Sequence, residues 1–316
     1  MRRSLTPRRP APRRPALRDR LAALAPESRG ALGIVTAMFF FVSMDAIAKH
    51  LAEELPTMQV VWARYLGQTL IVLALFAHRF RALLRTRAPG LQALRSVLLF
   101  SATSLFFYAL SFLPLAEAAA LMETAPLMIT LLAALVLGER VGPRRWAGVA
   151  AGFAGALIII RPGLGVFEPA ALLLLLAAVC IASYQIATRM MGQADSIWTT
   201  MLYTTLFGAV VSSAVLPFVW ETPPLALVPG LVAIGAIGFV GHTLLVWSLG
   251  QAPASVLAPF NYAQLLWAIL IGYLVFGDWP DAATLIGGAV IVCAGLYVWH
   301  RERVRGVRPA PPPPGG

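Results

Sequence analysis

Charge is scarce in this chain. Only 12% of its 316 residues are Asp, Glu, Lys or Arg, about half the share usual in a soluble domain. With 59% hydrophobic residues and a mean hydropathy of +0.77, that scarcity excludes an ordinary soluble globule. Acids are rarer than bases, 14 against 25. The resulting charge of +11 does not point to nucleic acid, because the cations sit in tails and loops, where membrane topology places them. The two cysteines, Cys180 and Cys293, both fall in apolar runs and offer neither a disulfide framework nor metal spacing. No H-E-x-x-H, G-x-S-x-G or Walker loop occurs. The chain is therefore not read as an enzyme, and no catalytic residue, metal or cofactor is assigned. The short alternating segments of an outer-membrane barrel are missing too.

What is present is a series of long apolar runs. About 20 helical residues cross the roughly 30 Å hydrocarbon layer, and ten runs qualify: 31–50, 57–77, 92–112, 116–137, 144–161, 169–189, 197–218, 226–249, 254–276 and 281–299. The fold class is an all-α polytopic membrane protein. Residues 1–30 are rich in Arg and Pro and 301–316 end in PAPPPPGG, so both read as disordered tails. The first run is too long for a signal peptide and lacks a small-residue cleavage site. Connections hold Pro56, Pro114, Pro143, Pro162, Pro223, Pro224, Pro253 and Pro280, which suit helix ends because proline lacks a backbone donor. Twenty-two of the 25 cations, Arg79, Arg95, Arg140 and Arg189 among them, fall on one side of a ten-span topology. This predicts cytoplasmic N- and C-termini.

The chain matches itself at a separation of 139. Leu131, Leu135, Gly138-Glu139 and Gly148 meet Leu270, Leu274, Gly277-Asp278 and Gly287; Ile47-Ala48 meets Ile186-Ala187. The shift carries each span onto the fifth one after it. Five is odd, so the halves, 31–163 and 169–300, are inverted relative to each other. The cationic loop GERVGPRR corresponds to GDWPDAAT, which has no cation. Inverted repeats of this kind are typical of secondary transporters, with the substrate near the midplane.

The stretch FFYALSFLPLAEAAALMETAPLMITLLAALVLGERVGPRRWAGVAAGFAGALIIIRPG, Phe106 to Gly163, and its copy at 245–300 resemble the EamA-type permeases of the drug/metabolite transporter superfamily. The opening FFFVSMDAIAKHL, followed by WARY, looks like members proposed to carry S-adenosylmethionine or riboflavin. The resemblance implies a ten-helix permease of the bacterial cytoplasmic (inner) membrane, with spans five and ten peripheral to the cavity.

Three ionisable residues lie well inside spans: Asp45, Arg64 and Glu123. Each is about 9–10 Å from the same membrane boundary at 1.5 Å per residue. Such groups are costly in hydrocarbon, so they are expected to converge and pair. Lys49, four residues from Asp45, is a second candidate to neutralise it. The 139 shift maps the three onto Tyr184, Tyr203 and Tyr262, which predicts an ionic outer half and a phenolic inner half of one cavity. Ser101, Ser104, Tyr108 and Ser111 share a helical face. His242, Asn261 and Gln264 add polar groups, and Pro126 and Pro259 are placed to break the fourth and ninth helices. Gly148, Gly152 and Gly155, with Gly287, Gly288 and Gly295, allow close helix packing or a homodimer contact.

The reading is a secondary transporter moving a small organic metabolite across the lipid bilayer by alternating access, with protons as a candidate coupling ion. A lipid-linked sugar flippase of the same superfamily, or a membrane sensor or assembly subunit, are the alternatives.

Overall fold

The computed structural model describes residues 24–136, 142–162, 168–191, 195–252 and 254–305. Gly138, Glu139, Arg140, Gly163, Pro253 and most of both tails lie outside the described residues. Every regular element among those described is helical. Short turns of helix apart, in chain order the long ones are α1 (Pro26–Ala52), α2 (Thr57–Phe76), α3 (Pro89–Leu110), α4 (Leu115–Val136), α5 (Pro143–Ile160), α6 (Ala170–Met191), α7 (Ile197–Val215), α8 (Val228–Leu249), α9 (Ala258–Phe276) and α10 (Ala282–Arg305). Among the described residues, nine helices are long and apolar enough to cross a membrane. The remaining one, α5, has 18 residues and opens with Arg144 and Arg145 in its first turn. Helix α1 starts at Pro26, earlier than its apolar run begins. Proline at the first helical position suits that start, since its missing N–H is one the helix would leave unbonded.

Two helices are interrupted, at the places proline predicts. Helix α4 consists of Leu115–Met122 and Ala125–Val136, with Glu123 and Thr124 between them. Pro126 has no N–H to give the carbonyl of Met122, and Thr124 caps the break by donating its hydroxyl to the Leu121 carbonyl at 2.7 Å. Helix α9 begins as a tight turn, Ala258–Tyr262, becomes α-helical over Ala263–Ile271 and widens at Gly272–Phe276. The breaks at Glu123 and Tyr262 stand 139 residues apart.

Packing repeats with the same period. Helix α1 lies along α8, and α3 lies along α6; each contact maps onto the other under the shift. Helix α2 packs on α7, and α5 on α10. The last pair touches backbone to backbone: a Cβ on Gly155 would come within 2.8 Å of the Gly287 carbonyl oxygen. The glycines thus serve packing inside the chain. One apolar core links both halves, through Leu51, Val60, Leu110, Leu121, Leu174 and Ile234. Leu135, Leu157, Leu266 and Leu274 stand exposed on the outside, where a bilayer rather than water accommodates them.

Candidate functional site

Helices α1, α2, α3 and α8 bring one polar group together in the apolar interior. Asp45 and Arg64 are each 5% exposed. The Arg64 guanidinium donates from Nη1 to Thr103 Oγ1 of α3 at 2.6 Å. It also lies over the rings of Tyr65 and Phe107, 5.0 and 5.5 Å from their centroids. Its charge reaches Asp45 and His242. His242 is held through Nδ1 by the Gly238 carbonyl at 3.0 Å and edge-on by Phe41. Gln68, one turn beyond Arg64 on α2, is buried among them, and its amide nitrogen has no hydrogen-bond partner.

The expected ion-paired triad does not form. Among the described residues no cationic nitrogen lies within 4 Å of Asp45 or Glu123. Arg64 is clamped by Thr103 and two aromatic rings instead. Lys49 does not neutralise Asp45; it donates to the carbonyls of Leu113 and Leu110 at 2.7 and 3.3 Å. These are unbonded carbonyls at and just beyond the α3 C-terminus, where a cation is favoured. Glu123, 7% exposed at the α4 break, has Tyr262 at the α9 break as its electrostatic neighbour. The Tyr262 hydroxyl sits in the notch left by Gly295 of α10, where a Cβ would overlap it.

The tyrosines do not form one cluster either. Tyr184 binds Arg95, whereas Tyr203 donates to the Leu84 carbonyl at 2.8 Å and ties α7 to the turn after α2. Tyr108 is 49% exposed and tilts onto Phe112. Asn261 bonds locally to the Ala258 carbonyl, and Gln264 is half-buried beside the α9 break.

Arg95 is the residue that sequence reasoning misplaced. Counted as a loop cation, it is 1% exposed within α3. Burial is tolerated because its donors are used: Nε to Thr188 at 2.7 Å, Nη2 to the Tyr184 hydroxyl at 3.0 Å and Nη1 to Gln92 at 3.1 Å. Gln92 continues the chain of bonds to Asp195 at 2.8 Å and to Thr200 at 3.2 Å. Asp195, just before α7, also accepts from Thr86 and from the Arg87 N–H. Burial opposes ionisation of Asp195, but these bonds and the Arg87 charge outweigh it and hold the carboxyl below its usual range. At the other end of the molecule, Gln59 of α2 clasps the backbone of Glu221 in both directions, at 2.9 and 3.1 Å. There too Arg161 pairs with Asp281 at 2.6 Å. The Thr284 N–H and then Arg161 hold the Asp281 carboxyl low. The spacing Gln92-x-x-Arg95 with Tyr184 and Thr188 one turn apart was visible in the sequence, but its proximity to the membrane boundary disguised it as topology.

The sequence pattern of the EamA-like transporter family matches this chain twice, over residues 28–161 and 168–299. The chain belongs to the EamA-like transporter family. It is 28% identical over 259 residues to an S-adenosylmethionine uptake transporter of Rickettsia bellii, covering 82% of this chain and 89% of that one. To a riboflavin transporter of Vibrio cholerae it is 31% identical over 287 residues, 88% and 95% of the two chains. To the pseudopaline exporter CntI of Pseudomonas aeruginosa it is 29% identical over 282 residues, 87% and 97% of the two. A crystal structure with 23% identity superposes with a TM-score of 0.61, covering 88% of this chain and 99% of the other, which supports the fold. This EamA-like protein is a multi-pass protein of the bacterial inner membrane that transports small molecules. The family and these relatives are transporters rather than enzymes.

Proposed function

We propose that the protein is a secondary transporter that moves a small organic metabolite by alternating access between two inverted halves. The topology would have ten spans with α5 included, and both termini in the cytoplasm. The observation that carries this is the buried polar set Asp45, Arg64, Gln68 and His242, in which no ion pair reaches Asp45 among the described residues. A static core would collapse such charges into pairs, whereas a transport site keeps them free for cargo. The bond chains at Tyr184–Arg95–Gln92–Asp195 and at Gln59–Glu221 join the two halves at opposite ends. Breaking one while keeping the other is the rearrangement alternating access requires. Asp45 and Glu123 are the groups that could couple transport to protons. The relatives named for S-adenosylmethionine, riboflavin and pseudopaline support a small organic metabolite as the cargo, and their names include both uptake and export, so direction is left open. The glycine faces of α5 and α10 are used within the chain, so a homodimer would need another surface.

The alternative, a lipid-linked sugar flippase, calls for a lateral opening between spans and a wide polar groove. The groove of about 600 Å³ on the outer face between α9 and α10, lined by Phe260, Leu266, Leu285 and Cys293, supplies an opening but is mostly apolar.

Ligand-dependent thermal stabilisation of the purified protein across a metabolite library tests the transport reading. A true cargo at 100 times its Kd adds about 2.7 kcal/mol, and the same compound should accumulate in proteoliposomes. A bound compound that shows neither uptake nor exchange would overturn transport. Equal transport by wild type and Glu123→Gln at every pH would remove Glu123 from the coupling role.

A further inference from the structure

Helix α2 ends at Phe76, and a turn, Ala77–Arg79, and a short helix, Phe80–Leu83, follow before the chain reaches α3. Phe80 and Leu83 join one apolar cluster with Val72 of α2 and Leu202 of α7, and the Tyr203 hydroxyl donates to the Leu84 carbonyl at 2.8 Å. The segment is thereby fixed to the frame of the molecule. It encloses an open hollow of about 580 Å³, lined by Ala77, His78, Phe80, Arg81, Ala82 and Arg85. No acid is among those residues. Arg81 and Arg85 are exposed and four residues apart, so both guanidinium groups can reach one ligand. Among the described residues neither makes an ion pair. Asp195, the acid bound to the same connection, is already taken by Thr86, the Arg87 N–H and Gln92. Membrane topology asks for cations on this side, but not for a hollow between them on a segment pinned by its own apolar residues.

We infer that this hollow holds the phosphate of an anionic phospholipid. The planar forks of Arg81 and Arg85 match phosphate oxygens, and the charge strengthens each bond. The tail has a place as well. Next to the hollow α2 exposes Leu70, Ala74 and Leu75, and Leu84 is exposed beyond it. Leu70 and Ala74 share one helix face. Leu70 lies six residues before the end of α2, about 9 Å, so an acyl chain along this strip enters hydrocarbon while its phosphate stays at the boundary. A soluble phosphate leaves the strip unused, and a zwitterionic lipid brings an ammonium against the arginines. The proposed topology puts this end of α2 at the cytoplasmic leaflet, where juxtamembrane cations meet anionic lipid. The inference concerns the bilayer and holds whatever the cargo is.

Native mass spectrometry of the purified full-length protein, released from detergent micelles doped with one lipid at a time, counts the lipids that stay bound. The probes are dioleoyl phosphatidylglycerol and dioleoyl phosphatidylethanolamine, with inorganic phosphate as the soluble competitor. At least one phosphatidylglycerol should stay bound where phosphatidylethanolamine does not, and inorganic phosphate should not displace it. The double variant Arg81→Gln, Arg85→Gln should weaken phosphatidylglycerol by about tenfold or more, and each single variant by about fivefold. The control Arg144→Gln, Arg189→Gln removes two exposed cations assigned to the same side of the membrane and should keep the lipid. Three results each overturn the inference. Equal retention of phosphatidylethanolamine would deny any role for headgroup charge. Equal loss in the control would reduce the effect to diffuse surface charge. Displacement by inorganic phosphate would make the hollow a site for a soluble anion.

Discussion

The Arg95 guanidinium of α3 donates to the Tyr184 hydroxyl of α6 at 3.0 Å and lies 4.8 Å from the centre of the same ring. One residue belongs to the first half of the chain and the other to the second. This bond therefore helps to hold the halves together at the end where Asp195 lies.

Removing the hydroxyl in Tyr184→Phe takes an acceptor from a buried cation, which costs about 1.5–3 kcal/mol. Thr188→Val should cost a similar amount. Arg95→Lys should not restore what Arg95 provides, because an ammonium cannot reproduce the fork that reaches Thr188, Tyr184 and Gln92 together. Thermal unfolding in detergent checks all three. Unchanged melting of Tyr184→Phe would contradict the assigned bond.

Asp195 gives a pH signature. Its carboxyl is held below the usual value, so its stabilising contribution is fully present above about pH 4, near the unfolded value of 3.8. That contribution is lost as pH falls through the lower folded value. Asp195→Asn should lower the melting temperature at neutral pH and flatten its decline in acid. A mutant curve parallel to wild type down to pH 3 would show that the bonds to Thr86, Arg87 and Gln92 contribute nothing.

Gly295 and Tyr262 should be coupled. In Gly295→Ala the new methyl overlaps the tyrosine hydroxyl, so Tyr262 must move and its place beside Glu123 is disturbed. The double variant Gly295→Ala, Tyr262→Phe should recover melting temperature relative to Gly295→Ala alone. Additive losses in a double-mutant cycle would refute the contact.

The α5–α10 seam tolerates no bulk. Gly155→Val places side-chain atoms against the Gly287 carbonyl, Val290 and Ile291. Overpacking of this kind costs about 1–3 kcal/mol. Reduced yield and lower melting are expected, with Gly90→Val as a control whose Cβ meets nothing within 4 Å.

Apolar runs and prolines were enough to place the helices, because hydrocarbon forces each crossing segment to satisfy its own backbone. The same local chemistry put the breaks near Pro126 and Pro259, whereas their correspondence at Glu123 and Tyr262, 139 residues apart, came from the structure. Asp45 and Arg64 were also legible, since a charge in an apolar run stands out in one dimension. Their partners were not. Lys49 turned to the carbonyls of Leu110 and Leu113, and Arg64 to Thr103 and two rings, because bonding in three dimensions is set by which helix faces meet. Gln68 and Arg95 were hidden for the same reason: an amide and a cation near a boundary look ordinary until packing buries them. The sequence by itself determined that this chain is a helical membrane transporter in two similar halves. Only the tertiary structure decided which partners its buried polar groups meet, because those partners lie on helices far apart in the chain.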